Sequence, residues 1–338
     1  MKSPILWLLC FLIVCSILPC NAELQKLSQG PKLVYMDANN QICLTDLDNV
    51  KPQKIGVGLF PKISPDGEYV VYKMVNRMLV LYSCKTKSSQ TLNSYVKDFT
   101  GPEWSPNGDS FIFCTEDDKL AVYSLKTKSA QILSGVPGDC YSELRWSPDG
   151  TNIVLVATKE GKDEVVIALK NNQFKIISKS LQSKSKTYFQ PCWSQNGRSV
   201  FFHDREYIYE MDLQGKLLQQ WSIERIIKPD MFTATYLMTD DRKSWICLIG
   251  ADDEEDYQLY KEKRCSIYRY DIATGKRVRL LPKGLFADSM NWMSGRKAII
   301  FDGYTKTNSG FDYSIYTLSI PAGKLQKIVK GYSPSCSN

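Results

Sequence analysis

Histidine is nearly missing from this chain: among 338 residues it occurs once, as His203. One imidazole cannot supply a multi-histidine metal centre or a lyase site built on several histidines. No Gly-x-Ser-x-Gly elbow is present, which removes the α/β-hydrolase arrangement. Gly275-Lys276 has Tyr270 where a phosphate loop needs its leading glycine, so it reads as a turn. Ser64-Pro65-Asp66-Gly67 places its glycine one position too early for a sialidase-type Ser-x-Asp-x-Gly box. Beyond residue 22 there is no Cys-x-x-Cys pair, so zinc held through cysteine has no support, and no apolar run approaches membrane-spanning length.

The N-terminus reads differently. Lys2, the apolar run Ile5–Leu18 and the small residue Ala22 form a cleavable secretory signal over residues 1–22. A lipoprotein anchor at Cys20 is the rival, disfavoured by the bulky Pro19 before it. Residues 23–31 are a short linker and 32–338 a single domain; the product is expected to be soluble and periplasmic or secreted. Eight cysteines remain past the signal, namely Cys43, Cys84, Cys114, Cys140, Cys192, Cys247, Cys265 and Cys336. Their wide spacing is no small disulfide framework, and zero to two bridges are expected. The net charge of +7 is spread through lysine-rich turns as ordinary solubilising charge, so nucleic acid is not expected as a partner.

What the chain has in abundance is a repeat. Trp104-Ser105-Pro106-Asn107-Gly108, Trp146-Ser147-Pro148-Asp149-Gly150 and Trp193-Ser194-Gln195-Asn196-Gly197 are its clearest copies. Weaker ones start at Ile63, Leu237, Trp292 and Tyr332, giving seven markers about 40 to 55 residues apart. Proline pre-sets φ, serine or aspartate accepts a backbone N–H, and glycine takes the left-handed conformation, so each copy is a tight strand-to-strand turn. β-Branched and aromatic runs follow, such as Tyr69–Tyr72 and Leu79–Tyr82, and each unit becomes a four-stranded antiparallel meander. One sheet of this size cannot bury both faces, so the units must stack radially: an all-β, seven-bladed β-propeller. The first unit lacks its first strand. Aligning Tyr332–Asn338 with Trp146–Asn152 supplies it, so the C-terminal strand pairs with the N-terminal strands and closes the ring.

The Trp-Ser-Pro-Asp-Gly turns, the Tyr270–Lys276 segment (Tyr-Asp-Ile-Ala-Thr-Gly-Lys) and the closing Tyr-Ser-Pro resemble the TolB-type, WD-repeat-like propellers of bacterial periplasmic proteins. The resemblance spans Lys32–Asn338. It implies a non-enzymatic, protein-binding scaffold of the cell envelope, although TolB itself has six blades and an additional N-terminal α/β domain. The same repeats also serve other roles, so a channel-mouth enzyme of lyase or lactonase type and a carbohydrate-binding propeller stay open.

Candidate contact residues are few. Glu103, Arg145 and Asn291 adjoin the markers on the innermost strands and can approach the central channel. Asp252, Asp253 and Asp256 lie in a long acidic hairpin insertion; its oxygens suit calcium, but it lacks a calcium-loop pattern and reads better as a solvated loop. Lys179–Lys186 is a second contact loop, and His203 ends a strand as a hydrogen-bonded residue rather than a base. No catalytic residue, metal or cofactor is expected. The expected partner is a protein, with no transmembrane span and a monomeric chain.

Overall fold

The computed structural model describes residues 30–97, 100–169, 173–181, 187–226, 233–239, 242–251, 264–293, 295, 297–308, 310–320 and 322–338. Seven four-stranded antiparallel sheets form the blades of a propeller. Blade one runs through Leu59–Ile63, Tyr69–Lys73, Met78–Ser83 and Ser88–Tyr95. The innermost strands of blades two to six are Glu103–Trp104, Cys140–Trp146, Phe189–Trp193, Thr233–Met238 and Leu285–Trp292. The closing blade combines Tyr332–Cys336 with Lys32–Met36, Gln41–Asp46 and Gln53–Val57.

Burial follows position in the blade. Second strands are covered on both faces by neighbouring blades, and Ser110–Cys114 and Ser244–Gly250 are buried at every residue. Fourth strands form the outer rim, and Ser129–Ile132 is exposed throughout. The core therefore lies between blades: Val71, Leu79 and Leu81 of blade one pack with Trp104, Phe111 and Phe113 of blade two. In the same way Phe201 and Ile208 pack with Trp245 and Tyr268.

The turns form as their residues dictate. Ser64 is fully buried, its Oγ donates to Asp66 at 2.6 Å, and the same Oγ accepts from the Tyr69 N–H at 2.9 Å. Ser147 repeats this arrangement with Asp149 and Asn152. Gly67, Gly108, Gly150 and Gly197 all have φ near +70°, where a side chain would be strained.

Closure occurs between the predicted partners but in a different register. Cys336 pairs with Leu33 as Trp146 pairs with Ile153 and Trp104 with Phe111, so Cys336, not Tyr332, occupies the marker position. Tyr332-Ser333-Pro334 is strand rather than turn. Beyond it, Ser337 Oγ accepts from the Lys32 N–H at 2.8 Å, and the Asn338 N–H reaches Pro65 O at 2.8 Å, tying the tail to blade one. Blade five carries a smaller correction: Met238 rather than Leu237 pairs with Trp245 at the marker position.

The physical reason for both shifts is a bulge the turn motif does not reveal. In six sheets the pairing of the innermost strand slips by a residue or more, ahead of the marker. Phe60, Glu143, Gln190 and Ser333, each three positions before its marker, take left-handed φ of 53° to 56°. Each such residue costs about 1 to 3 kcal/mol unless its surroundings hold it there. Carboxylates help: buried Asp302 accepts from the Ser289 N–H at 2.9 Å and from the Ser333 N–H at 3.2 Å, and half-buried Glu143 accepts from the Gln190 N–H. Burial raises the pKa of Glu143, against the opposing pull of that amide.

Candidate functional site

Register places Lys62, Glu103, Arg145, Cys192, Leu237, Asn291 and Ser335 at one level, each immediately before its marker on the innermost strand. The structure brings Glu103 and Arg145 together, a pairing the sequence did not indicate. Glu103 Oε1 accepts from Lys62 Nζ at 2.7 Å and from Arg145 Nη1 at 3.2 Å. Lys62, which sequence reading passed over, is the closer partner. Asn291 is exposed on blade six and makes no hydrogen bond to this group. Asp252, Asp253 and Asp256 lie outside the described residues, as do residues 182–186 of the second loop.

Burial acts to raise the Glu103 pKa, but the charges of Lys62 and Arg145 outweigh it and hold the carboxyl below its ordinary 4.5. A depressed carboxyl pKa stabilises the fold above the unfolded value, and that contribution is lost as pH falls through the folded value. Glu103→Gln is therefore expected to unfold earlier than the parent in urea at pH 7, with the gap closing as pH drops below about 4.5. A gap independent of pH would contradict this account.

A ladder of indoles links the same strands. Trp104 Nε1 donates to Lys62 O at 3.0 Å, Trp146 Nε1 to Glu103 O at 3.0 Å, and Trp193 Nε1 to Arg145 O at 3.1 Å. Blades two, three and four thereby each bond the one before. At blade five the ladder stops, because Met238 has no N–H to offer. A cavity of about 160 Å³ opens there between blades four, five and six. Its wall is apolar, from Trp193, Phe201, Leu237, Met238 and Trp292, and its rim is polar, from Gln195, Asn196, Thr239 and Arg242. Arg242 is held in place: its guanidinium sits 5.6 Å over the Phe201 ring and donates to Glu210, which is 3% exposed. Apolar walls with a few fixed polar groups are the usual make-up of a binding pocket.

His203 lies elsewhere and is 5% exposed, with Nδ1 2.8 Å from Asp204 O. Its ring is packed between Phe189 and Tyr236, at 5.5 and 5.1 Å, and burial lowers its pKa. The neutral, enclosed imidazole is the strand-end residue expected from sequence. Level with it, three positions past the marker partner on their own second strands, are Lys73 and Asp302, at 3% and 7% exposure. The sequence reading missed both, since a lone charge in an apolar run gives no signal of its own. Among the described residues no disulfide joins any of the eight cysteines.

These features define a β-propeller of TolB-like fold. No family model matches the chain, and no curated protein matches it. Among solved structures it is similar to TolB from Acinetobacter baumannii, at 14% identity and TM-score 0.52, covering 94% of this chain and 85% of that one. It is likewise similar to an oligogalacturonate lyase in complex with manganese, at 12% identity and TM-score 0.61, covering 88% and 83%. A second oligogalacturonate lyase, from Vibrio parahaemolyticus, matches at 13% identity and TM-score 0.56, covering 89% and 85%. Identities this low establish the fold alone. Among the described residues no three His, Cys, Asp or Glu side chains converge as a donor set for manganese, and the one histidine is enclosed. Among the described residues no helix is long and apolar enough to cross a membrane.

Proposed function

We propose that this chain is a non-enzymatic, exported propeller that binds a protein partner in the cell envelope, on the face bearing the Ser-Pro turns. The observation that carries this reading is the cavity beside Met238, an apolar, polar-rimmed recess at the point where the three indole rungs of Trp104, Trp146 and Trp193 end. An apolar side chain of the partner fills the recess. A carboxylate of the same segment meets the cationic side of the channel, where Lys62 and Arg145 outnumber Glu103. The likeness to TolB supports a scaffold role, and the titratable groups that converge at this level, Lys62, Glu103 and Arg145, are paired with one another.

Met238→Trp rebuilds the missing rung and fills the recess. Tagged chain from Glu23 onward is expected to recover a stoichiometric partner from envelope extract, and Met238→Trp to reduce recovery about tenfold with its thermal unfolding unchanged. Equal recovery by the variant, or turnover of a small substrate by the parent, would overturn the reading.

A further inference from the structure

Between blades four and five, past the last of the three indole rungs, His203 packs across the interface. It ends the Ser199–His203 strand of blade four, and its ring stands at 82° to that of Tyr236 of blade five, 5.1 Å away. Phe189 of its own blade covers it on another side at 5.5 Å. Beside this contact Gln190 Nε2 donates to Thr235 Oγ1 at 3.1 Å, a second tie across the same interface. Both strands also wall the recess, since Phe201 lies two residues before His203 and Leu237 and Met238 follow Tyr236.

The imidazole has room for one proton only. Its Nδ1 is 2.8 Å from Asp204 O, and a carbonyl can only accept, so Nδ1 carries the hydrogen and Nε2 the lone pair. Nε2 is buried and has no hydrogen-bond partner among the described residues. A second proton there creates a cationic N–H in an enclosed site with no described group to accept it. Of the groups around the ring, Phe189 and Gln190 do not ionise, and Tyr236 is a phenol. Asp204 is the charged neighbour, and its carboxylate is already engaged: Oδ1 accepts from the Glu206 and Tyr207 N–H groups and Oδ2 from the Tyr209 hydroxyl, all at 2.7 Å. Glu143 of blade three stands one residue further off, on the Gln190 N–H.

We propose that His203 is an acid-sensitive latch between blades four and five: neutral, it closes the interface, and protonated it has to reach water, so that the Thr233–Met238 strand gives way and the recess loses its wall. Burial outweighs the attraction of Asp204 and holds the closed-state pKa below the ordinary 6.5. The opened form therefore binds the extra proton more readily. Closure is fully favoured above pH 6.5 and weakens as pH falls from there through the lowered closed-state value. No other histidine titrates in this window. Glu143, whose carboxyl is raised by burial, acts in the opposite sense, and Glu103 titrates below its ordinary 4.5. Release of a partner in acid rests on the function proposed above; the latch does not.

The test uses the chain from Glu23 onward with a histidine-free tag, so that one imidazole signal is seen by NMR. That signal is expected to keep the neutral, Nδ1-protonated form at pH 6. Amide hydrogen exchange, corrected for its intrinsic pH dependence, is expected to show protection of Thr233–Met238 falling about tenfold between pH 7.5 and 5.5, while Ser110–Cys114 of blade two holds. His203→Asn keeps a donor for Asp204 O and His203→Phe keeps a ring; each should abolish the pH dependence whatever its absolute stability. An imidazole that titrates at 6.5 or above in the folded chain overturns the proposal. So does protection that falls equally in blades two and five, or that still falls in the variants. If neither variant folds, the parent's two measurements decide. Equal recovery of a partner at pH 7.5 and 5.5 overturns acid release, whereas recovery of none at either pH overturns the proposed function and not the latch.

Discussion

Deleting Tyr332–Asn338 is expected to open the ring and to cost more stability than any single substitution. The segment is the only partner of the Lys32–Met36 strand on its inner side, and without it Leu33 and Val34, both fully buried, face solvent. The lost contacts extend to blade one, since Ser335 Oγ accepts from the Ile63 N–H at 3.3 Å and the tail bonds to Pro65. A domain has a net stability of about 5 to 15 kcal/mol, so losing one strand of a closed ring consumes a large fraction of it. Urea unfolding followed by near-ultraviolet circular dichroism should show either a collapsed midpoint or a first transition confined to the closing blade. A midpoint displaced less than that of the substitution below would refute closure as the source of stability.

Trp245→Ala is the point change expected to cost most. The indole has no exposed surface and meets the rings of Phe201, Trp221 and Tyr236 at 5.6, 5.3 and 6.4 Å. Removing a buried large aromatic costs about 3 to 5 kcal/mol, because blades four and five cannot collapse onto the void without breaking their sheets. Trp245→Phe should cost less than half as much. It keeps most of the contact, and it also removes an Nε1–H that has no hydrogen-bond partner among the described residues. Equal losses for the two variants would show that the indole nitrogen, not the ring volume, is what matters.

The fold was legible because its signal is local. A Ser-Pro-Asp-Gly turn folds on itself, through the buried serine hydroxyl and the carboxylate two residues on, wherever it stands in the chain. The two misplaced markers lack that turn. At the closure, Tyr332-Ser333-Pro334 imitates it, yet Pro334 is a different proline: with Pro61 and Pro191 it lies two positions before the marker, buried in the innermost strand. There the bulge leaves an amide position outside the ladder, so proline gives up nothing. A pattern of proline, any residue and a bulky residue would have put the closing marker on Cys336. For the candidate site, Glu103 and Arg145 could be chosen because polar residues beside tryptophans are conspicuous. Lys62 could not, since its marker is the unremarkable Ile63. The recess beside Met238 was hidden for a deeper reason: a missing indole matters only once the neighbouring blades are known to offer it a place.

The bond between Leu33 and Cys336 spans almost the whole polypeptide. Contacts between such distant positions are the slowest to form, because the intervening chain must be gathered first. A chain exported head first would present its opening strand long before the complementary strand arrives. Until then that strand's unpaired edge is open to pairing with any other extended segment. Assembly thus has a vulnerable interval, ended only when Tyr332–Cys336 takes its place beside Lys32–Met36.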